Sequence, residues 1–159
     1  MTKFLEGSRQ MKIAAFDLGT KVGFAVSDGS TRYSGSQNLA AKKHENWAAR
    51  FEKFVVLLDS IAKNGVPDRV VYEEVRAHKG TDAAHIYGAF MAELHKWCNV
   101  RNVPVTGVPV GTIKKFATGH GNASKMEVLM AVEKKYGVLA QDDNEADAVA
   151  LLEYARSEM

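Results

Sequence analysis

Residues 12–28 constrain the fold more than any other stretch. KIAAFDL (12–18) is apolar at almost every position, GFAVSD (23–28) nearly so, and only four residues separate them. A run that is apolar on both alternating faces reads as a strand inside a sheet. So short a connection lets the chain only fold straight back. Asp28-Gly29-Ser30 then turns into RYSGSQNL (32–39), a third strand in a hairpin with the second. Asp17 is the odd member, a carboxylate at the tip of a buried strand.

The remaining chain alternates helical and strand patterns. Residues 45–63 carry Trp47, Phe51, Phe54, Leu58 and Ile61 on one stripe, and Asn64-Gly65-Val66-Pro67 ends that helix. RVVYEEV (69–75) is a fourth strand. A helix from Thr81 to Val100 turns Ala84, Tyr87, Gly88, Met91, Leu94 and Cys98 inward, and VPVTGVPV (103–110) is a fifth strand. A brief helix over 111–118 is interrupted by Gly119-His120-Gly121. Asn122 or Ser124 caps the next helix, which Gly137 closes after Tyr136, and a last helix runs from Asp142 to about Ser157. The pattern specifies an α/β chain: a five-stranded mixed sheet covered by helices. Residues 1–10 read as a polar tail and 11–159 as one domain, with no repeat or linker.

Bulk properties narrow the classes. A chain of 159 residues that is 46% hydrophobic and 25% charged is expected to be one globular domain. No apolar run approaches the roughly 20 residues that span a bilayer. The N-terminus lacks the apolar core of a secretion signal, and the single Cys98 suits a reducing cytoplasm. A net charge of +2 is too small for a global field, so contact with nucleic acid requires local basic clusters.

Three acidic residues stand where apolar ones are expected. Asp17 shares a strand face with Ile13 and Ala15; Glu73 shares one with Val71 and Val75, while Glu74 points the other way with Val70 and Tyr72. Asp147 falls on the helical stripe 147, 150, 151, 154. A carboxylate aimed at a core costs several kcal/mol unless it meets a cation or keeps its proton. If Asp17 and Glu73 end neighbouring strands and the last helix packs over them, the three converge. Such oxygen donors, with no His or Cys among them, suit Mg²⁺ or Mn²⁺. Two such ions about 4 Å apart activate water and stabilise the leaving oxygen of a phosphodiester. Bland roles also fit: Asp17 suits a turn, Glu74 a solvated face, and Asp142 with Glu145 the capping-box spacing of a helix N-terminus. Asp147 is the hardest to explain structurally.

With those residues placed, the chain resembles the RuvC family of Holliday junction resolvases, particularly the short versions carried by bacteriophages. FDLGTKVGFAV is similar to the family's first strand and turn, VYEEV to its Ile-Glu-Gln-Val segment, and EADAVALLEYA to its last helix. KKFATGHGNASKMEV matches a lysine, a Gly-x-Gly and a second lysine eleven residues after the first. The resemblance implies a ribonuclease H-like fold, metal ligation by Asp17, Glu73 and Asp147, and family lysines at Lys114 and Lys125. It further implies Mg²⁺ or Mn²⁺, two ions per site, and a cytoplasmic homodimer making paired cuts in four-way and other branched DNA. Those cuts would leave 5′-phosphate and 3′-hydroxyl ends. Where the family usually carries Asp or His, three residues before the last aspartate, this chain has Asn144. Asn144 or Asp143 then supplies the fourth ligand.

Phosphate contacts are expected from Arg76, His78 and Lys79 after the Glu73 strand, and from Lys114 and Lys125 around the glycine loop. His120 and Lys115 lie in the same basic stretch, Lys115 being read as merely solvated. Gly119 and Gly121 would let backbone approach DNA, with a helix N-terminus at Asn122 facing a phosphate. His44, His85 and His95 read as ordinary helix residues, and Trp47 and Trp97 as packing. Two alternatives stand beside the resolvase. One is a non-catalytic branched-DNA binder, which Asn144 keeps open and Asp17, Glu73 and Asp147 together argue against. The other is a phosphotransferase of the actin and sugar-kinase kind, suggested by Asp17-Leu18-Gly19-Thr20; such enzymes close two domains around a nucleotide.

Overall fold

Residues 9–159 are described by a computed structural model. Their order is β1 (Ile13–Asp17), β2 (Lys21–Ser27), β3 (Arg32–Asn38), α1 (Ala49–Ala62), β4 (Arg69–Glu74), α2 (Thr81–Val100), β5 (Val105–Pro109), α3 (Val110–Thr118), α4 (Lys125–Tyr136) and α5 (Asp143–Ser157). Most of the expected polar tail, residues 1–8, lies outside the described residues. Arg9 pairs with Asp68 at 3.0 Å, and Asp68 also accepts from the Lys12 N–H at 2.8 Å.

The strands form one sheet in the order β3-β2-β1-β4-β5. β2 runs antiparallel to its neighbours β1 and β3, whereas β4 runs parallel to β1 and β5 parallel to β4. This three-plus-two mixed sheet with helices on both faces is the ribonuclease H-like fold. Strand alternation divides the core in two. Ala14, Phe16, Val70 and Tyr72 face α1 and α2, which add Phe54, Leu58, Phe90, Leu94 and Trp97. Ile13, Ala15, Ala25 and Val71 face α5, over which α3 and α4 pack.

Helix α5 is enclosed on nearly every side, with Ala146, Ala148, Val149, Ala150, Leu151, Leu152 and Ala155 fully buried. Its alanines meet Ala15 and Ala25 on the strands, so helix and sheet approach closely. Any acidic group on its inward face is therefore dehydrated.

Several local expectations need correction. The first helix begins at Ala49, not at residue 45, because residues 42–45 are tied in a turn. Glu45 N–H bonds the Lys42 carbonyl at 2.9 Å, and the Glu45 carboxylate accepts from Lys42 N–H at 2.7 Å. Trp47 precedes the helix and is about half exposed, packing edge-on against Phe51. Strand β4 stops at Glu74, so Val75 leaves the Glu73 face and joins the α1–α2 core. Ser124, not Asn122, caps α4, in a closed capping box with Glu127. The Glu127 carboxylate thus occupies the helix end at which a phosphate was expected. His95 meets the Tyr72 hydroxyl at 3.2 Å instead of lying free. Trp97 is a core residue as expected, its indole N–H donating to Asp59 at 2.9 Å.

Candidate metal centre

Three elements deliver one carboxylate each to a common point. Asp17 ends β1 on the α5 side of the sheet, Glu73 is the penultimate residue of the adjacent parallel β4, and Asp147 lies one turn inside α5. One oxygen from each can be chosen so that all three lie within 4.8 Å of one another. All three side chains are partly buried.

Gly23 sets how closely α5 approaches. It is the β2 residue opposite Asp17, and a Cβ there would overlap the Asn144 carbonyl and stand 3.0 Å from the Glu145 nitrogen. Only a residue without a side chain lets the first turn of α5 rest on the strand. At Gly19 a Cβ would meet only the Lys21 oxygen at 3.8 Å, an ordinary contact.

The end of α5 is also gripped by polar groups. Asp142 is the N-cap, accepting from Glu145 N–H at 2.9 Å, and it takes a second hydrogen bond from Ser36 Oγ at 2.6 Å. Lys21 pairs with it at 2.9 Å. Partial burial pushes this carboxyl up, but the bonds from Ser36, Glu145 N–H and Lys21 outweigh it and bring it to about 2. Glu145 does not complete a capping box. It turns inward, accepting from Ser34 Oγ at 2.8 Å and from Gln141 N–H at 2.7 Å. Sequence reading missed the roles of Lys21, Ser34 and Ser36. The available signal was the i, i+2 spacing of two hydroxyls on one face of β3.

Electrostatics at the triad favour a cation. Asp17 is held well above the usual carboxylate range by burial first, then by the charges of Glu73, Asp147 and Asp143. Burial also raises Glu73, against the pull of Lys114 and Lys125. Asp147 is pushed up to about 7 by burial, Glu73 and Asp143. The donor set is three carboxylates with no imidazole or thiolate, which fits a hard divalent ion. Cys98 is buried in the opposite core, its thiol pushed up to about 11 by that burial, and offers no nucleophile.

Other expected site residues fall into two groups. Lys125 pairs with Asp143 at 3.0 Å, and its charge reaches Asp17, Glu73 and Asp147. Lys114, on α3, acts on Glu73 and Asp147. Asp143 and Asn144 lie one turn before Asp147 on the same helix. Farther out, Arg76 is exposed and pairs with Glu74 at 3.6 Å, and Lys79 is exposed. His78 folds its ring against Tyr87, centroids 4.8 Å apart. Gly119 ends α3 in the left-handed conformation at φ 90°, and Gly121 packs against Gly111. Exposed His120 spends its backbone N–H on Thr118 Oγ1 at 3.1 Å.

The chain has known relatives, although no family model matches it. The crossover junction endodeoxyribonuclease RuvC of Chlamydia trachomatis serovar L2 is 33% identical over 150 residues, covering 87% of each chain. Its counterpart in Chlamydia abortus is 31% identical over 150 residues, 87% of this chain and 90% of that one. Among solved structures, T. thermophilus RuvC in complex with Holliday junction substrate aligns with TM-score 0.77 at 22% identity, over 94% of this chain and 97% of that one. The yeast mitochondrial Holliday junction resolvase Ydc2 aligns with TM-score 0.61 at 12% identity, over 89% and 76% respectively. At those identities the structures speak for the fold alone. The curated relatives named are bacterial and lend no support to the expected bacteriophage origin. A carboxylate triad on this fold, together with one-third identity across nearly the whole length of RuvC proteins, leads to one assignment: the chain belongs to the RuvC family of crossover junction endodeoxyribonucleases.

Proposed function

We propose that this protein is a divalent-metal-dependent endonuclease that resolves four-way DNA junctions and acts on other branched DNA. The observation that carries the reading is the convergence of Asp17, Glu73 and Asp147 within 4.8 Å. Asp17, Glu73 and Asp147 hold two ions, Mg²⁺ or Mn²⁺, with Asp143 or Asn144 as the fourth ligand. Bound metal supplies an activated water and stabilisation of the leaving oxygen.

The protein's own groups do the rest. Burial of the triad disfavours three bare negative charges, so the carboxylates bind a cation in preference to solvent. Lys125, held beside the site by Asp143, and Lys114 on the facing helix offset the phosphodiester's charge. Arg76, His78 and Lys79 extend a basic rim beyond β4, and the Gly119–Gly121 loop brings backbone to the strand being cut. A homodimer, working in the cytoplasm, would place two such sites on one junction. The relatives, crossover junction endodeoxyribonucleases, lend no support to the phosphotransferase alternative. Among the described residues no helix is long and apolar enough to cross a membrane.

The test is cleavage of a labelled four-way junction, a fork and a linear duplex, with Mg²⁺ and with chelator. Metal-dependent, paired, symmetric cuts near the crossover are expected. Asp17→Asn should lower cutting at least roughly 100-fold while junction binding persists. Tight binding without cutting in Mg²⁺ or Mn²⁺ would refute catalysis and leave a branched-DNA binder.

A further inference from the structure

Two backbone groups at the end of β4 lie beyond their strand partner. Val70 N–H bonds the Pro104 carbonyl at 2.9 Å across the β4–β5 seam. Backbone donors alternate sides along a strand, so residues 71, 73 and 75 turn theirs toward β1. The β1–β4 register stops at Phe16 and Tyr72, because β1 departs there into the return that feeds β2. The Glu73 carbonyl and the Val75 N–H sit just past that point.

One side chain from α2 takes both. The Tyr87 hydroxyl donates to the Glu73 carbonyl at 2.8 Å and accepts from Val75 N–H at 3.1 Å. A phenol has one proton to give and lone pairs to receive, so a single oxygen stands in for the missing strand. Tyr87 is itself buried, with Phe90 and Leu94 fixing its helix in the core. It also lines a pocket of about 360 Å³ between the β1–β2 return and the start of α2, with Leu18, Thr20, His78 and Ile86. Glu73 therefore lies one residue past the last β1–β4 pair, and its carbonyl is met by Tyr87 rather than by a strand.

We propose that Tyr87 is a positioning residue for Glu73: its hydroxyl joins the Glu73 carbonyl to the Val75 N–H where β1 no longer pairs with β4, and so fixes the Glu73 carboxylate near Asp17. This rests on the metal-site reading above. Partners that orient a ligand typically change metal affinity by 10- to 100-fold when removed. Tyr87 acts through the ligand's backbone, which is an equally direct constraint on where the carboxylate can reach.

The test is Mn²⁺ titration of the full chain by calorimetry, without DNA, on wild type, Tyr87→Phe and Tyr72→Phe. Tyr87→Phe keeps the ring and should weaken Mn²⁺ binding roughly tenfold. Tyr72→Phe removes another hydroxyl from the same region, one that meets His95 at 3.2 Å, and should leave the affinity at the wild-type value. Unchanged affinity in folded Tyr87→Phe would overturn the inference, as would an equal loss in Tyr72→Phe. A second measurement needs no variant: in the metal-free wild type, the Val75 amide should resist hydrogen exchange although it lies beyond the strand. Exchange at the rate of a free loop amide would also overturn the proposal. Wild-type protein that binds no Mn²⁺ would overturn the metal-site reading and this inference with it.

Discussion

Gly23→Ala is the smallest change that should dismantle the site without touching any ligand. The added methyl would overlap the Asn144 carbonyl and stand 3.0 Å from the Glu145 nitrogen, all of it backbone that cannot rotate away. Restoring van der Waals separation requires the first turn of α5 to retreat by about 1 Å. Overpacking of this kind costs about 1–3 kcal/mol, small enough for the protein to stay folded. The consequence at the site is larger, because Asp147 follows directly on that turn and must stay with Asp17 and Glu73 inside a 4.8 Å cluster. A misplacement of about 1 Å costs on the order of 100-fold in rate. The assay pairs thermal melting with single-turnover junction cleavage across a Mg²⁺ series. Gly19→Ala, where the nearest atom is 3.8 Å away, is the control for melting and should change stability by less than about 0.5 kcal/mol. Gly23→Ala with wild-type metal response and wild-type cutting would refute the argument that α5 is seated through this glycine.

Two further outcomes follow from the charges. The carboxyl of Asp147 is raised from 3.8 to about 7, so its stabilising contribution is complete below about pH 4 and is lost as pH rises through about 7. The shift corresponds to an upper bound on the order of 4 kcal/mol, so with chelator the melting temperature should fall between about pH 4 and 7 and Mg²⁺ should restore it most at the alkaline end. A melting temperature that climbs over that range without metal would contradict this. Asp142 titrates near 2 and acts with the opposite sign only at lower pH. Lys125→Ala should weaken junction binding and flatten the logarithmic salt dependence by about 0.9, the increment for one phosphate left without its cation. An unchanged slope in filter binding would restrict Lys125 to its pair with Asp143.

Most of the fold was legible because its signals are local. The β1 and β2 runs, the 3.6-residue stripes of α1 and α2, and the left-handed glycines after α3 and α4 each encode their element within a few residues. Alternation placed Asp17 with Ala15 and Glu73 with Val71 on one face, which is the α5 face, while the choice of Glu73 over Glu74 came from the resemblance of VYEEV to the family's Ile-Glu-Gln-Val segment. Failures came where a side chain had a competing partner. Trp47 fits the α1 stripe, but Glu45 ties the preceding residues into a turn, so the helix starts later. Glu145 has capping-box spacing, yet Ser34 on a distant strand offers it a buried hydroxyl, and it turns inward.

The choice between Asp143 and Asn144 as the proposed fourth ligand resisted sequence reading for the same reason on a larger scale. Asp143, Asn144 and Asp147 share one face of α5 by helical periodicity, and nothing local ranks Asp143 against Asn144. Their ranking depends on where the helix is seated along the sheet. That seat is set by Gly23 under the Asn144 carbonyl, by Ser36 on Asp142 and by Ser34 on Glu145. The last two contacts join residues 106 and 111 positions apart, a distance over which no spacing rule operates. With the helix so seated, Asp143 is drawn to Lys125 at the start of α4 while still adding its charge at Asp17 and Asp147. The negative charge that Asn144 lacks is therefore present one residue earlier, and it is paired with Lys125 at 3.0 Å.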